Sequence, residues 1–183
     1  MKNSKFRVYL RTLEMEDHTL IHSFRQNEEV IYGYSGMRLF ASSENEKKWV
    51  EERIFDKNMV TAGICLKENN QLIGLIFLTE IDMHNRIAQC PLFIGNKECI
   101  GQGFAFEARM LMLHYAFYER GLLRIYDKVL EDNIASIKLH EKCGYTKEGV
   151  LRKSRFKNGE YHNECIYGLL KEEFDEWIKR HEL

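Results

Sequence analysis

Four groups of residues in this 183-residue chain have the types and spacing to do chemistry. The first is a loop, Ile100-Gly101-Gln102-Gly103-Phe104-Ala105, that opens a helix-forming run. Two glycines one residue apart let the main chain turn tightly, so several N–H groups can converge on one point. The helix behind them adds free amides and the positive end of its dipole. Together they make a seat for a phosphate or diphosphate that needs no basic side chain. The second group is Glu80, Asp82 and His84, at the end of a strand and in the turn after it. A carboxylate there can take up a proton, and an exposed polar turn has the same composition. The third is His140, whose imidazole, ordinarily near pKa ~6.5, can give and recover a proton near neutrality. Cys143 follows one helical turn later, but no orienting acid accompanies that pair. The fourth is His18 and His22, four apart on one helix as two metal ligands would be, without a glutamate-flanked zinc motif around them.

Composition narrows the partners. Lys+Arg 27 against Asp+Glu 28 leaves a formal net charge of −1 and no long block of one sign. That argues against nucleic acid, which needs a concentrated basic face. No apolar run approaches the ~20 residues of a membrane-spanning helix, and the N-terminus lacks an apolar signal core. Five scattered cysteines (Cys65, Cys90, Cys99, Cys143, Cys165) with no Cys-x-x-Cys pair read as reduced thiols in a cytoplasm, not as a disulfide frame or a metal site. No metal is expected.

The elements that must position these groups follow from periodicity and turn residues. Strands are expected over 8–13, 61–67, 71–81 and 86–94, with helices over 16–25 and 43–56. Ser42 or Ser43 with Glu46 fits a capping box. The glycine loop then opens a helix from 104 to about 120, with Phe104, Ala108, Leu111, Met112 and Tyr115 as its buried stripe and Gly121 as its stop. A strand over 124–129 and a short helix over 133–142, stopped by Gly144, come next. Strands over 145–156 and 161–170 meet at Asn158-Gly159, a hairpin signal, before a last helix over 172–180. The order β-α-α-β-β-β-α-β-α-β-β-α means a mixed sheet with helices on it, class α/β or α+β, in one domain over 1–183. A dinucleotide fold is excluded because its glycine loop would follow the first strand, and a Walker loop because no Gly-Lys-Ser/Thr follows.

Glu98 to Gly103, Asn133 to Tyr145, the opening Leu10-Arg11-Thr12-Leu13-Glu14-Met15-Glu16-Asp17, and the tail from Phe156 to Leu170 occur in the order found in one family. Through them the chain resembles the GNAT superfamily of acetyl-CoA-dependent N-acetyltransferases, in the branch of the ribosomal-protein and spermidine enzymes. The resemblance implies a GNAT fold: a mostly antiparallel seven-stranded sheet flanked by helices and splayed between its fourth and fifth strands. Acetyl-CoA would be the cosubstrate. Its diphosphate would sit on Ile100, Gly101, Gln102, Gly103, Phe104 and Ala105, and its pantetheine arm would pair with the Phe93-Ile94 main chain and meet Asn133 and Ser136. Pro91, which lacks an N–H, fits a strand that bulges at the splay.

The implied reaction is direct transfer of acetyl to the primary amine of a small molecule, a polyamine or an amino sugar. Two other readings are Nα-acetylation of a ribosomal or other protein, and an acyl-CoA sensor that has lost catalysis. Three positions depart from the family. Glu98 replaces a glutamine or arginine, Gln89 stands where many relatives carry a glutamate base, and His140 stands where polyamine enzymes place a tyrosine acid. The catalytic candidates are therefore Glu80 as base and His140 as acid. Glu28, Glu29, Tyr32 and Tyr34, between the first two helices, have the acidic and aromatic character that suits an amine acceptor. A homodimer without membrane or nucleic-acid partners completes the expectation.

Overall fold

The computed structural model describes residues 5–27, 30 and 41–182. Strand β1 (Val8–Arg11) leads into helices α1 (Asp17–Arg25) and α2 (Ser43–Phe55). Strands β2 (Val60–Leu66), β3 (Leu72–Asp82), β4 (Ile87–Gln89) and β5 (Leu92–Ile94) follow, then a 3₁₀ turn at Lys97–Cys99 and helix α3 (Phe104–His114). A π turn (Tyr115–Glu119) ends α3 short of the expected residue 120 and leads to β6 (Arg124–Leu130). Helix α4 (Ile134–Lys142), the hairpin β7 (Thr146–Lys157) and β8 (Glu160–Leu170), and helix α5 (Lys171–His181) complete the order.

The strands form one eight-stranded sheet in the order β1-β2-β3-β4-β6-β8-β7, with β5 beside β3. Among the described residues only the β4–β6 pair is parallel. The eighth strand arises because the single strand expected over 86–94 breaks at Cys90-Pro91 into β4 and β5. The apolar runs of β2 and β3 are buried on both faces, as central strands covered by helices must be. On one face Ile64, Ile73, Ile76, Met110, Leu113, Phe117, Tyr167 and Phe174 join the core beneath α3 and α5. On the other, Ile21, Phe24, Val50, Leu75 and Phe77 pack beneath α1 and α2. The Ser42 hydroxyl caps α2 by accepting from the Asn45 amide, but Glu46 does not close the expected box. Its carboxylate is buried instead against Arg25 of α1, 3.2 Å away.

Candidate active site

The register along β3 shows how the sheet opens. Phe77 donates to the Pro91 carbonyl and Gly95 donates to that of Ile73, with Leu75 opposite Phe93 and Thr79 opposite Gln89. Hydrogen-bonded pairs alternate in an antiparallel ladder. The main-chain groups of Gln89, Pro91 and Phe93 therefore face β3, while those of Ala88, Cys90, Leu92 and Ile94 face the far side. On that far side β4 pairs with β6 through Gln89 opposite Tyr126, and then the ladder stops. The Cys90 amide donates not to main chain but to the Asp127 carboxylate, at 2.9 Å. Beyond it β5 pairs with β3 alone. Leu92 and Ile94 consequently offer N–H and C=O groups to a gap between β5 and β6. Phe93 points its main chain to β3, so of the two positions expected to face the gap only Ile94 does, and Leu92 is the other.

Two clusters of side chains occupy opposite faces at the apex of this gap. On the face away from α3, Tyr126 donates to Glu80 Oε2 at 2.7 Å and lies beside Gln89. Glu80 takes φ 50, in the left-handed region, at a bulge where β3 shifts register between Thr79 and Asp82. A non-glycine residue held there costs of order 1 kcal/mol, and bulges re-aim side chains. Burial raises the Tyr126 pKa; a hydrogen bond with Gln89 opposes this and Glu80 reinforces it, so the hydroxyl keeps its proton at neutral pH. Asp82 and His84, the other members of the sequence trio, stay in the turn, where Asp82 accepts from Asn85.

On the α3 face, Arg109, Asp127 and His140 are all buried. Arg109 Nη1 reaches Asp127 Oδ2 at 2.7 Å and His140 Nε2 at 2.8 Å. Asp127 Oδ2 lies 3.0 Å from the same imidazole nitrogen. His140 Nδ1 faces the Ser136 carbonyl at 2.7 Å, an acceptor only, which assigns the ring proton to Nδ1. Burial and then the Arg109 charge hold the His140 pKa below its ordinary value. Burial alone would raise the Asp127 pKa, but Arg109, His140 and the Cys90 amide hold it below the usual carboxylate range. His140 is 2% exposed with both ring nitrogens engaged. Cys143 is also buried, with its thiol pushed up to about 12 by burial, so it is no nucleophile.

The glycine loop lies just beyond the end of β5. Gly101 and Gly103 have φ +77 and +88, a region that L side chains rarely adopt. A Cβ on Gly101 would meet nothing within 4 Å, so the glycine there answers to backbone conformation rather than to crowding. Gly103 is the N-cap of α3, and the amides of Phe106 and Glu107 turn back to its carbonyl. The amides of Phe104 and Ala105 have no carbonyl one turn behind them, as the first turn of a helix requires. Ile100 is exposed, and the Gln102 side chain folds back onto the Glu98 carbonyl. A cation that the sequence left unassigned stands beside this loop. Arg7 donates to the Gln102 carbonyl at 2.8 Å, holds Glu107 through its main-chain and guanidinium N–H groups, and covers the Phe104 ring at 4.3 Å.

Asn133 caps α4 by accepting from the Ser136 amide at 3.1 Å. Glu28, Glu29, Tyr32 and Tyr34 lie outside the described residues. Among the described residues no group of three or more His, Cys, Asp or Glu side chains is arranged to hold a metal, and no helix is long and apolar enough to cross a membrane. The structure thus places Ile94 on β5 just before the loop and joins Glu80 of β3 to Tyr126 of β6, while His140 is buried against Arg109 and Asp127. It adds Tyr126, Leu92, Asp127, Arg109 and Arg7, none of which carries a local sequence signal.

Comparison with known proteins agrees with this arrangement. The Acetyltransferase (GNAT) domain family matches residues 7–146. The spermidine N(1)-acetyltransferase of Vibrio cholerae is 30% identical over 154 residues, covering 84% of this chain and 87% of the relative. The SPbeta prophage-derived N-acetyltransferase YokL of Bacillus subtilis is 30% identical over 166 residues and 91% of each chain. The crystal structure of the Vibrio cholerae spermidine N-acetyltransferase in complex with CoA and spermine superposes with a TM-score of 0.84 at 27% identity, over 92% of this chain and 98% of that one. A mixed sheet that opens beside a glycine-capped helix, matched by family, sequence and structure alike, makes this chain an acyltransferase of the GNAT family of N-acetyltransferases.

Proposed function

We propose that the protein transfers acetyl from acetyl-CoA to a primary amine of a small polyamine. The observation that carries this is the gap itself: Leu92 and Ile94 offer main-chain groups to an arm lying as an added strand, and the glycine loop follows at the end of β5. The diphosphate rests on the amides at 101–105, and the thioester reaches the apex at Gln89 and Tyr126. There Glu80 takes a proton from the entering ammonium, and Tyr126 holds the carboxylate in place. A free amine is mostly charged at pH 7, so this step is required before attack. The neutral nitrogen attacks the thioester carbon, the C–N bond forms, the C–S bond breaks, and the proton shed by the nitrogen passes to the departing sulfur. No separate acid is needed, and His140 keeps a supporting place behind the sheet.

A cationic acceptor is favoured by the relatives, three of which are named for spermidine. Thiol release from acetyl-CoA tests the reading with spermidine, spermine, amino sugars and peptides carrying a free α-amine. Polyamine-dependent release at the highest kcat/KM supports it; release with peptides alone contradicts it.

A further inference from the structure

The β4–β6 ladder does not simply fade; a side chain interrupts it. Had the pairing continued past Gln89 and Tyr126, the Cys90 amide would have bonded to β6 main chain. It bonds to the Asp127 carboxylate instead, and that carboxylate is gripped from behind by Arg109, which also donates to the adjoining His140 ring. Asp127 and Arg109 are 4% and 2% exposed, so an ion pair has been buried at the one point where two strands part. Buried ion pairs contribute little net stability compared with apolar side chains of similar size. This one has a geometric consequence: the carboxylate stands between Cys90 and β6, and β5 beyond it pairs on one side only. Tyr145 closes the cluster, its ring edge-on to His140 and its hydroxyl 3.4 Å from Arg109.

We infer that Asp127 is a positioning residue that wedges β5 away from β6 by holding the Cys90 amide, with Arg109 fixing the wedge and His140 packed beside it, and so keeps the gap open for the coenzyme arm. The inference rests on the proposed place of acetyl-CoA, so coenzyme A is first titrated into the unaltered enzyme by calorimetry. No binding there would defeat the proposed function itself, before any variant is compared. Two variants then separate the wedge from simple stability. Asp127→Asn keeps an oxygen for the Cys90 amide but lacks the charge; Asp127→Ala has neither. The wedge predicts coenzyme A affinity within about threefold of the unaltered enzyme for Asp127→Asn, and about tenfold weaker for Asp127→Ala, each measured below its melting temperature. The KM for acetyl-CoA should rise in parallel, with the KM for the amine unchanged.

A third variant, Arg109→Met/Asp127→Leu/His140→Phe, replaces the polar cluster with apolar side chains that fill similar space. It should stay folded with little change in melting temperature, yet bind coenzyme A as poorly as Asp127→Ala. Unaltered affinity in that folded variant, or equal losses in Asp127→Asn and Asp127→Ala, would overturn the wedge.

Discussion

At the start of α3 the proposed coenzyme seat is made of main chain, whereas at the gap's apex the reacting groups are side chains drawn from three strands. The loop works because Gly101 and Gly103 can take φ near +80, and its surroundings, Arg7 and Glu107, tie it to the strand lead-in. The apex works because a bulge turns Glu80 toward Tyr126 and because a buried ionic cluster on the other face diverts the Cys90 amide. A main-chain seat governs how tightly a ligand is held. A side-chain apex governs what happens to it. Substitutions in the two regions should therefore separate affinity from turnover, and any that cross over would break the contrast.

The largest effect is expected at Glu80. Removing the proton acceptor in Glu80→Gln should lower kcat by about 10²-fold with the acetyl-CoA KM within about twofold, read by steady-state kinetics on a polyamine. Next comes Gly103→Val, which forces a β-branched side chain to φ +88. It should weaken coenzyme A binding by about tenfold in calorimetry and reduce stability by ~1–2 kcal/mol, leaving kcat at saturating acetyl-CoA nearly intact. Tyr126→Phe removes one hydrogen bond from the Glu80 carboxylate and should cost about fivefold in kcat, with no change in coenzyme affinity.

The smallest effect sharpens the same contrast through pH. His140 is held neutral in the folded state by burial and Arg109, so its folded pKa lies below that of the unfolded chain. On acidification below about pH 6.5 the unfolded chain takes up a proton that the folded chain refuses, and stability falls. Asp127, whose folded pKa is lowered, adds a loss in the same direction at still lower pH, where the unfolded chain's carboxyl takes up a proton below about 3.9 and the folded one resists it. Urea midpoints of the unaltered protein should therefore drop from pH 7.5 to 5.5, and His140→Phe should drop less. Equal drops would mean that His140 is not held neutral.

The contrast also explains which parts were legible in the sequence. The loop could be read because its requirement is local: alternating glycines before a helix mean positive φ wherever they occur. Most elements could be read for the same reason, from Gly121 and Gly144 as helix stops to Asn158-Gly159 at the hairpin. The apex could not. Glu80 sits at a φ that glutamate disfavours, and only the one-residue slip between β3 and β4 puts it beside Tyr126. Arg109 and Asp127, on a helix and a strand, carry no local signal, and only long-range pairing makes their burial tolerable. His140 shows the same blindness from the other side. Its alignment with a family acid was visible, but its burial against Asp127 was not. Pro91 marked the strand's irregularity, yet the amide diverted from the β4–β6 ladder is that of Cys90, one residue earlier.

The most direct test is a crystal structure with coenzyme A bound. The account places the diphosphate on the amides at 101–105, the pantetheine hydrogen-bonded to Leu92 and Ile94, and the sulfur at the apex within reach of Tyr126 and Glu80. A coenzyme seated outside the β5–β6 gap, or one whose sulfur lies on the α3 face beside His140, would contradict it.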